Sequence, residues 1–269
     1  MTDSHRKGWL PTPLTRLSAA AHAGALGLVL ARRELWPFAA GTVVANHVLL
    51  TACGLWPRST WLGPNWVRLP AGAAARAAVA LTIDDGPDPE VTPAVLELLS
   101  AHGAVATFFC IGERVQRHAA LAREIVRRGH AIENHSQRHL RRFSLLGPRA
   151  LRAEIARAQA VIGEICGRAP AFFRAPAGLR SPLLEPVLAD LSLQLASWTR
   201  RGFDTLEGDP ERVRVRLTAH LAAGDILLLH DGHAARTARG QPVILEVLPA
   251  LIAAIRSAGL HPVRLDAAR

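Results

Sequence analysis

From residue 79 to the C-terminus the chain switches repeatedly between short apolar runs and amphipathic stretches, and this alternation narrows the possible folds more than any other feature. Strand candidates are residues 79–83, 106–110, 130–133, 172–174, 194–198, 226–230 and 262–265. Helical stretches lie between them. Thr92, Ser181 and Asp209 each precede a proline, the pattern of a helix N-terminus, while Gly103, Gly129, Gly167, Gly224 and Gly259 read as helix ends. Seven strands that alternate with helices predict a parallel sheet. In one continuous domain they predict an α/β fold of the distorted (β/α)7-barrel type. At 269 residues, with 49% hydrophobic and 20% charged residues, the chain can build such a core.

In barrels of this kind the chemistry sits at the C-terminal ends of the strands. Reading those ends gives Asp84 and Asp85 after the first, His135 and His139 after the third, and Arg174 at the fourth. Asp204 follows the fifth and His230 ends the sixth. Each has a plain structural reading as well. Asp84-Asp85-Gly86-Pro87 has turn composition, two histidines four apart can be solvated in a chain with 12, and His230 can be a core residue. Yet two adjacent carboxylates ending an apolar strand repel each other unless a cation or proton is present. On a helix or tight helical turn, the spacing of His135 and His139 puts both imidazoles on one face, where they can grip one metal ion. Two His and one Asp leave coordination positions open, the layout of a catalytic site. Arg174, closing an aromatic strand, needs an acidic partner, and the inward-facing acids offer one.

The N-terminal part has a different character. A basic stretch (His5, Arg6, Lys7, Arg16) precedes two apolar segments, 18–31 and 35–55, separated by Arg32, Arg33 and Glu34. The first is short for a bilayer span. The second has the required length of roughly 20 residues, although Pro37, Asn46 and His47 interrupt it. No small-x-small cleavage site follows the first segment, so a cleaved signal peptide fits poorly. Residues 1–56 are expected to be a hydrophobic helical region attached to the bacterial inner membrane through residues 18–55, with a hairpin packed on the soluble part as the alternative. A single span puts the catalytic region outside, and a double span puts it in the cytoplasm. Residues 57–75 form a Pro/Gly-rich connector, and residues 76–269 the catalytic domain.

The net charge of +10 is almost entirely arginine, since Lys7 is the only lysine. Those arginines are scattered, aromatic residues are 5%, and Tyr is absent, so nucleic acid is not an expected partner. Cys53, Cys110 and Cys166 form neither a disulfide framework nor a CxxC zinc pattern, and Cys110 and Cys166 read as small buried hydrophobes.

Together these pieces resemble the polysaccharide deacetylases of the NodB-homology type, carbohydrate esterase family 4. Leu81-Thr82-Ile83-Asp84-Asp85-Gly86-Pro87, His135-Ser136-Gln137-Arg138-His139, Arg174-Ala175-Pro176-Ala177-Gly178 and Leu227-Leu228-Leu229-His230 match four of its five ordered motifs. The fourth motif departs. The family often has an Asp followed by a groove-walling Trp, whereas here Trp198 precedes Asp204 and Thr205 follows it.

The resemblance implies a metal-dependent hydrolase that removes an N-acyl group, expected to be acetyl, from an amino sugar in a polysaccharide, oligosaccharide or glycoconjugate. Asp85, His135 and His139 are then the ligands of a divalent ion, expected to be Zn²⁺, with Co²⁺, Ni²⁺ and Mn²⁺ as alternatives. Asp84 is the general base oriented by Arg174, and His230 the general acid tuned by Asp204. Ala177 supplies a main-chain amide to the oxyanion, Leu228 lines the acyl pocket, and Trp198 is a further substrate-binding candidate. The apolar front end raises a lipid-linked sugar as an alternative substrate, and a carbohydrate-binding protein with an inactive site is the non-enzymatic alternative.

Overall fold

A computed structural model of the chain describes residues 9–269, so His5, Arg6 and Lys7 of the basic stretch lie outside the described residues. Helix α1 runs over Pro13–Ala31 and helix α2 over Trp36–Leu55. The first begins five residues earlier than the apolar segment suggested, because Thr12 caps it through the Thr15 N–H and Pro13 opens it. At 19 residues it is no longer short, and both helices are long and apolar enough to cross a membrane. Pro37 does not interrupt α2, since it sits in the first turn, where no intrahelical N–H bond is lost.

The two helices pack antiparallel, with Asn46 Nδ2 donating to Ser18 Oγ at 3.0 Å and the His22 and His47 rings 5.2 Å apart. Ser18 and Asn46 thus meet inside the hairpin, while His47 is exposed and Leu26, Leu30, Phe38, Val44 and Val48 are 62–76% exposed. That is the reverse of what water favours.

The sheet contains β1 (Ala78–Asp84), β2 (Thr107–Cys110), β3 (Ala131–Asn134), β4 (Phe172–Phe173), β5 (Gln194–Leu195), β6 (Arg200–Arg201), β7 (Ile226–His230) and β8 (His261–Val263). Every pairing between these strands is parallel, in the order β5-β4-β3-β2-β1-β7-β6, with β8 joined to the first residues of β1. The eighth strand is β6, two arginines with no apolar signal to announce them. Pairing stops at β5 on one side and β6 on the other, so the barrel is incomplete. The connector spans part of this gap: Trp66 pairs with Ala196, and the Leu69 N–H donates to Gly224 O at 2.8 Å.

Alternation along β1 decides what faces where. Val79, Leu81 and Ile83 pack with Phe108, Leu227 and Leu229 against the surrounding helices. Ala78 and Ala80 lie in the barrel interior with Phe109, Phe172 and Leu228. The same parity carries Thr82 and Asp84 inward, and His230 follows Leu228 in the same way.

Not every predicted cap forms. Asp209 accepts from the Glu211 and Arg212 N–H groups as expected. The Thr92 hydroxyl instead donates to Asp231 at 2.5 Å, and the helix after Ser181 starts only at Leu184. Gly224 belongs to the turn before β7 rather than to a helix end. Cys110 is fully buried, whereas Cys166 is only half-buried.

Candidate active site

Arg174 follows β4 and reaches across the barrel interior, only 1% exposed. One guanidinium nitrogen donates to Asp84 Oδ1 at 2.5 Å and to Thr82 Oγ1 at 2.9 Å. The others donate to Ser197 O at 2.7 Å and Ala196 O at 3.2 Å, and the group stacks 4.0 Å from the centre of the Phe109 ring. A buried charge so fully paired holds Asp84 in one orientation. The start of β4 is fixed from below by Glu133, whose carboxylate accepts the Ala171 and Phe172 N–H groups, each at 2.7 Å.

Asp85, the next residue, turns away with a left-handed φ of 75°. Its Oδ1 is buried and has no hydrogen-bond partner among the described residues. That oxygen lies 3.4 Å from His135 Nε2 and 3.3 Å from His139 Nε2. One ligand atom from each of the three residues lies within 4.8 Å of the others.

The protonation pattern suits a cation. His135 Nδ1 is 2.8 Å from Arg174 O and donates to it, so Nε2 presents its lone pair. Burial and the neighbouring His135 pull the His139 imidazole down to about 4, which leaves it neutral near pH 7. Burial would push the Asp85 carboxyl up, but His135 and His233 beside it hold it well below the usual carboxylate range. An orphaned carboxylate oxygen between two imidazole nitrogens is a donor set that a divalent ion fits.

The two histidines do not sit on a helical face. They lie in a loop after β3 that uses left-handed backbone at Ser136 (φ 65°) and His139 (φ 51°). Asn134 Oδ1 accepts the Ser136 N–H at 2.9 Å, and Ser136 Oγ accepts the His139 N–H at 3.1 Å. These bonds shape the loop so that both rings meet Asp85.

His230 closes β7, and Asp204 grips it twice: Oδ2 accepts the backbone N–H at 2.7 Å, and Oδ1 lies 2.9 Å from Nδ1. Burial disfavours a charged imidazole here, but the Asp204 carboxylate, with Asp84 and Asp85 beyond it, outweighs burial and raises the His230 pKa. Asp84, Asp85, His135, His139 and His230 border one cleft of about 510 Å³, which Ala177, Trp198 and Leu228 also line, while Arg174 and Asp204 stand behind it and hold Asp84 and His230. Ala177 has a left-handed φ of 55°.

Two residues escaped the sequence reading. His233 Nδ1 lies 2.9 Å from Asp85 Oδ2, the oxygen facing away from the other histidines, although its side chain is 55% exposed. Asp231 is buried beneath the Asp85–Gly86 turn, and burial pushes its carboxyl up to about 7. Both follow His230 in His-Asp-Gly-His, and only that closeness could have flagged them. Asp231 also explains Gly86: a Cβ there would stand 2.5 Å from Asp231 Oδ2. Gly86→Ala is therefore expected to displace the turn carrying Asp85 and to weaken metal uptake at least tenfold in a titration. Unaltered uptake would show that the turn tolerates the clash.

Known proteins resemble this arrangement. The family model for polysaccharide deacetylase matches residues 66–196. A chitooligosaccharide deacetylase of Azorhizobium caulinodans is 36% identical over 167 residues, covering 60% of this chain and 79% of that protein. A peptidoglycan-N-acetylglucosamine deacetylase of Bacillus cereus is 34% identical over 175 residues, covering 64% and 77%. Among solved structures, a family 4 acetyl xylan esterase of Clostridium thermocellum in complex with a cobalt ion superposes with a TM-score of 0.63. It is 32% identical, over 71% of this chain and 89% of that one. The chain belongs to the polysaccharide deacetylase family. It is thereby a hydrolase of carbon–nitrogen bonds other than peptide bonds, built on the parallel β/α sheet that the family shares.

Proposed function

We propose that the chain is a metal-dependent deacetylase that releases an N-acyl group, acetyl by preference, from an amino sugar. The observation that carries this reading is the orphaned Asp85 Oδ1 between His135 Nε2 and His139 Nε2, beside a spare acid and a spare imidazole. Relatives named for chitooligosaccharide and peptidoglycan N-acetylglucosamine support the substrate class. A divalent ion held by Asp85, His135 and His139, Zn²⁺ by the chemistry of the donors, supplies Lewis-acid polarisation of the amide carbonyl and a more acidic water.

The chain's own residues do the rest. Asp84, aimed by Arg174, takes the proton of the attacking water. The Ala177 amide donates to the oxygen on which charge develops. His230 hands its proton to the departing sugar nitrogen, and Asp204 keeps that imidazole charged. Leu228 and Trp198 shape the acyl pocket and the cleft wall. The catalytic domain is residues 76–269, with residues 57–75 as the connector. The N-terminal region, residues 1–56, attaches it to the bacterial inner membrane through the hairpin of α1 and α2, an assignment supported by the outward-facing apolar side chains of those two helices.

Because the family covers several sugars, the direct test is acetate release by the Zn²⁺-loaded full chain in detergent, assayed on N-acetylated chitooligosaccharides and peptidoglycan fragments. Turnover abolished by chelation and restored by metal is expected. Binding of these sugars with no acid released would leave a carbohydrate-binding protein.

The raised pKa of His230 sets the sign of the pH response. The acid must be protonated to act, so kcat/KM falls as pH rises through that raised pKa. Asp204→Asn removes the largest raising influence and leaves burial, so the alkaline limb should move to lower pH. A limb that stays in place would detach Asp204 from this role.

A further inference from the structure

We infer that the amino sugar taken by this cleft carries a phosphate group; the inference rests on the deacetylase reading of the same site. Three arginines from separate elements line the cleft: Arg117 from the helix after β2, Arg141 from the loop after β3, and Arg201 from β6. Among the described residues none of the three has a carboxylate within 4.0 Å. By contrast, Arg138 in the same lining is bound to Glu154 at 2.6 Å, and Arg114 lies 3.6 Å from Asp88. Arg117 and Arg141 are exposed, and Arg201 is half-buried.

Arg201 is the most telling of them. Its Nε is buried with no hydrogen-bond partner among the described residues, while its guanidinium lies 5.0 Å from the Phe203 ring and 5.5 Å from the Trp198 ring. It is thus fixed at the cleft with donors unspent. Beyond Asp84 and Asp85, each already committed, Glu113 is the only carboxylate lining the cleft among the described residues. Three like charges around a space of about 510 Å³ repel one another, and a neutral glycan offers them hydrogen-bond acceptors but no compensating charge. Guanidinium groups match phosphate in geometry and charge, and several can share one doubly charged group.

The hairpin bears on where such a phosphate comes from. Gly178 lines the cleft and is packed against Pro57, two residues past the end of α2. The Arg180 N–H donates to Gly54 O at 3.1 Å, and the Arg180 guanidinium to Ser59 O at 2.5 Å, so the end of α2 is fastened to the loop that follows Arg174. Trp9, Trp56 and Trp61, 40–58% exposed, lie near this end of the hairpin in sequence, as aromatic residues do at a membrane boundary. The cleft rim therefore lies within about 10 Å of where α2 would leave a bilayer, a few residues of chain at most. A phosphate that links the sugar to a lipid fits that position, and a free sugar phosphate shares the same chemistry.

Three substrates separate the cases, each assayed for acetate release by the full chain in nanodiscs: polyprenyl-linked N-acetylglucosamine phosphate, soluble N-acetylglucosamine 1-phosphate, and neutral N-acetylchitotetraose. At least one phosphate-bearing substrate is expected to exceed the neutral one in kcat/KM by tenfold or more. In the Arg117→Gln/Arg201→Gln double variant this preference should fall to near parity, mainly through KM. A larger value for the polyprenyl arm assigns the lipid source, and a larger value for the soluble arm assigns the free sugar phosphate. A neutral substrate that matches or beats both phosphates overturns the inference while leaving the deacetylase reading intact. If no substrate releases acid, the deacetylase reading fails. Calorimetric binding of soluble N-acetylglucosamine 1-phosphate then decides the charge claim, which falls if wild type and double variant bind it equally.

Discussion

Asp84→Asn is expected to lower kcat by ~10²–10⁴-fold per metal-loaded molecule, the usual share of a positioned proton acceptor. The substitution is nearly isosteric, so the turn that presents Asp85 and the two histidine rings should keep their places. What disappears is the basic oxygen, together with the charge opposite Arg174. Metal uptake should persist, and that is the distinguishing result. A protein that retains full turnover would remove Asp84 from the proton-transfer role, and loss of metal together with turnover would make it part of the metal cluster.

Arg174→Met is expected to cost about 3–5 kcal/mol of stability, because it strands Asp84 as a buried, unpaired charge. Arg174 is 1% exposed and Asp84 3% exposed, so the Asp84 oxygen that accepted from the guanidinium is left without that partner at a buried position. Chemical denaturation of the detergent-solubilised chain measures the loss. Combining Arg174→Met with Asp84→Asn should recover part of it, since the second change removes the stranded charge. Additive losses in the double variant would mean that the pair is not coupled, and the orientation argued for Asp84 would lose its basis.

Much of this architecture was legible in the sequence, for a physical reason. A buried parallel strand must be apolar along its length, so 79–83 and 226–230 stand out as runs, and the polar residues after them mark the rim. The residues read from those ends, Asp84, Asp85, His135, His139, Arg174, Asp204 and His230, border one cleft or touch a residue that does. What stayed hidden depends on contacts rather than on pattern. Strand β6 is two arginines whose pairing with β7 has no composition signal. The connector becomes part of the sheet only because Trp66 meets Ala196 across the gap between β5 and β6. The loop holding His135 and His139 relies on left-handed residues, which a helical spacing argument cannot anticipate. Asp231 and His233 act through a turn that lies about 150 positions away in the chain. Helix α1 starts ahead of the apolar segment because Thr12 and Pro13 together make a helix N-terminus, a signal that hydrophobicity does not carry.

A calorimetric titration of Zn²⁺ into chelator-stripped full chain tests the central claim most directly. Wild type and Asp84→Asn should each take up one ion per chain, whereas His135→Ala should take up none at the same concentrations. A wild-type chain that binds no divalent ion, or a His135→Ala chain that binds as wild type does, would contradict the account.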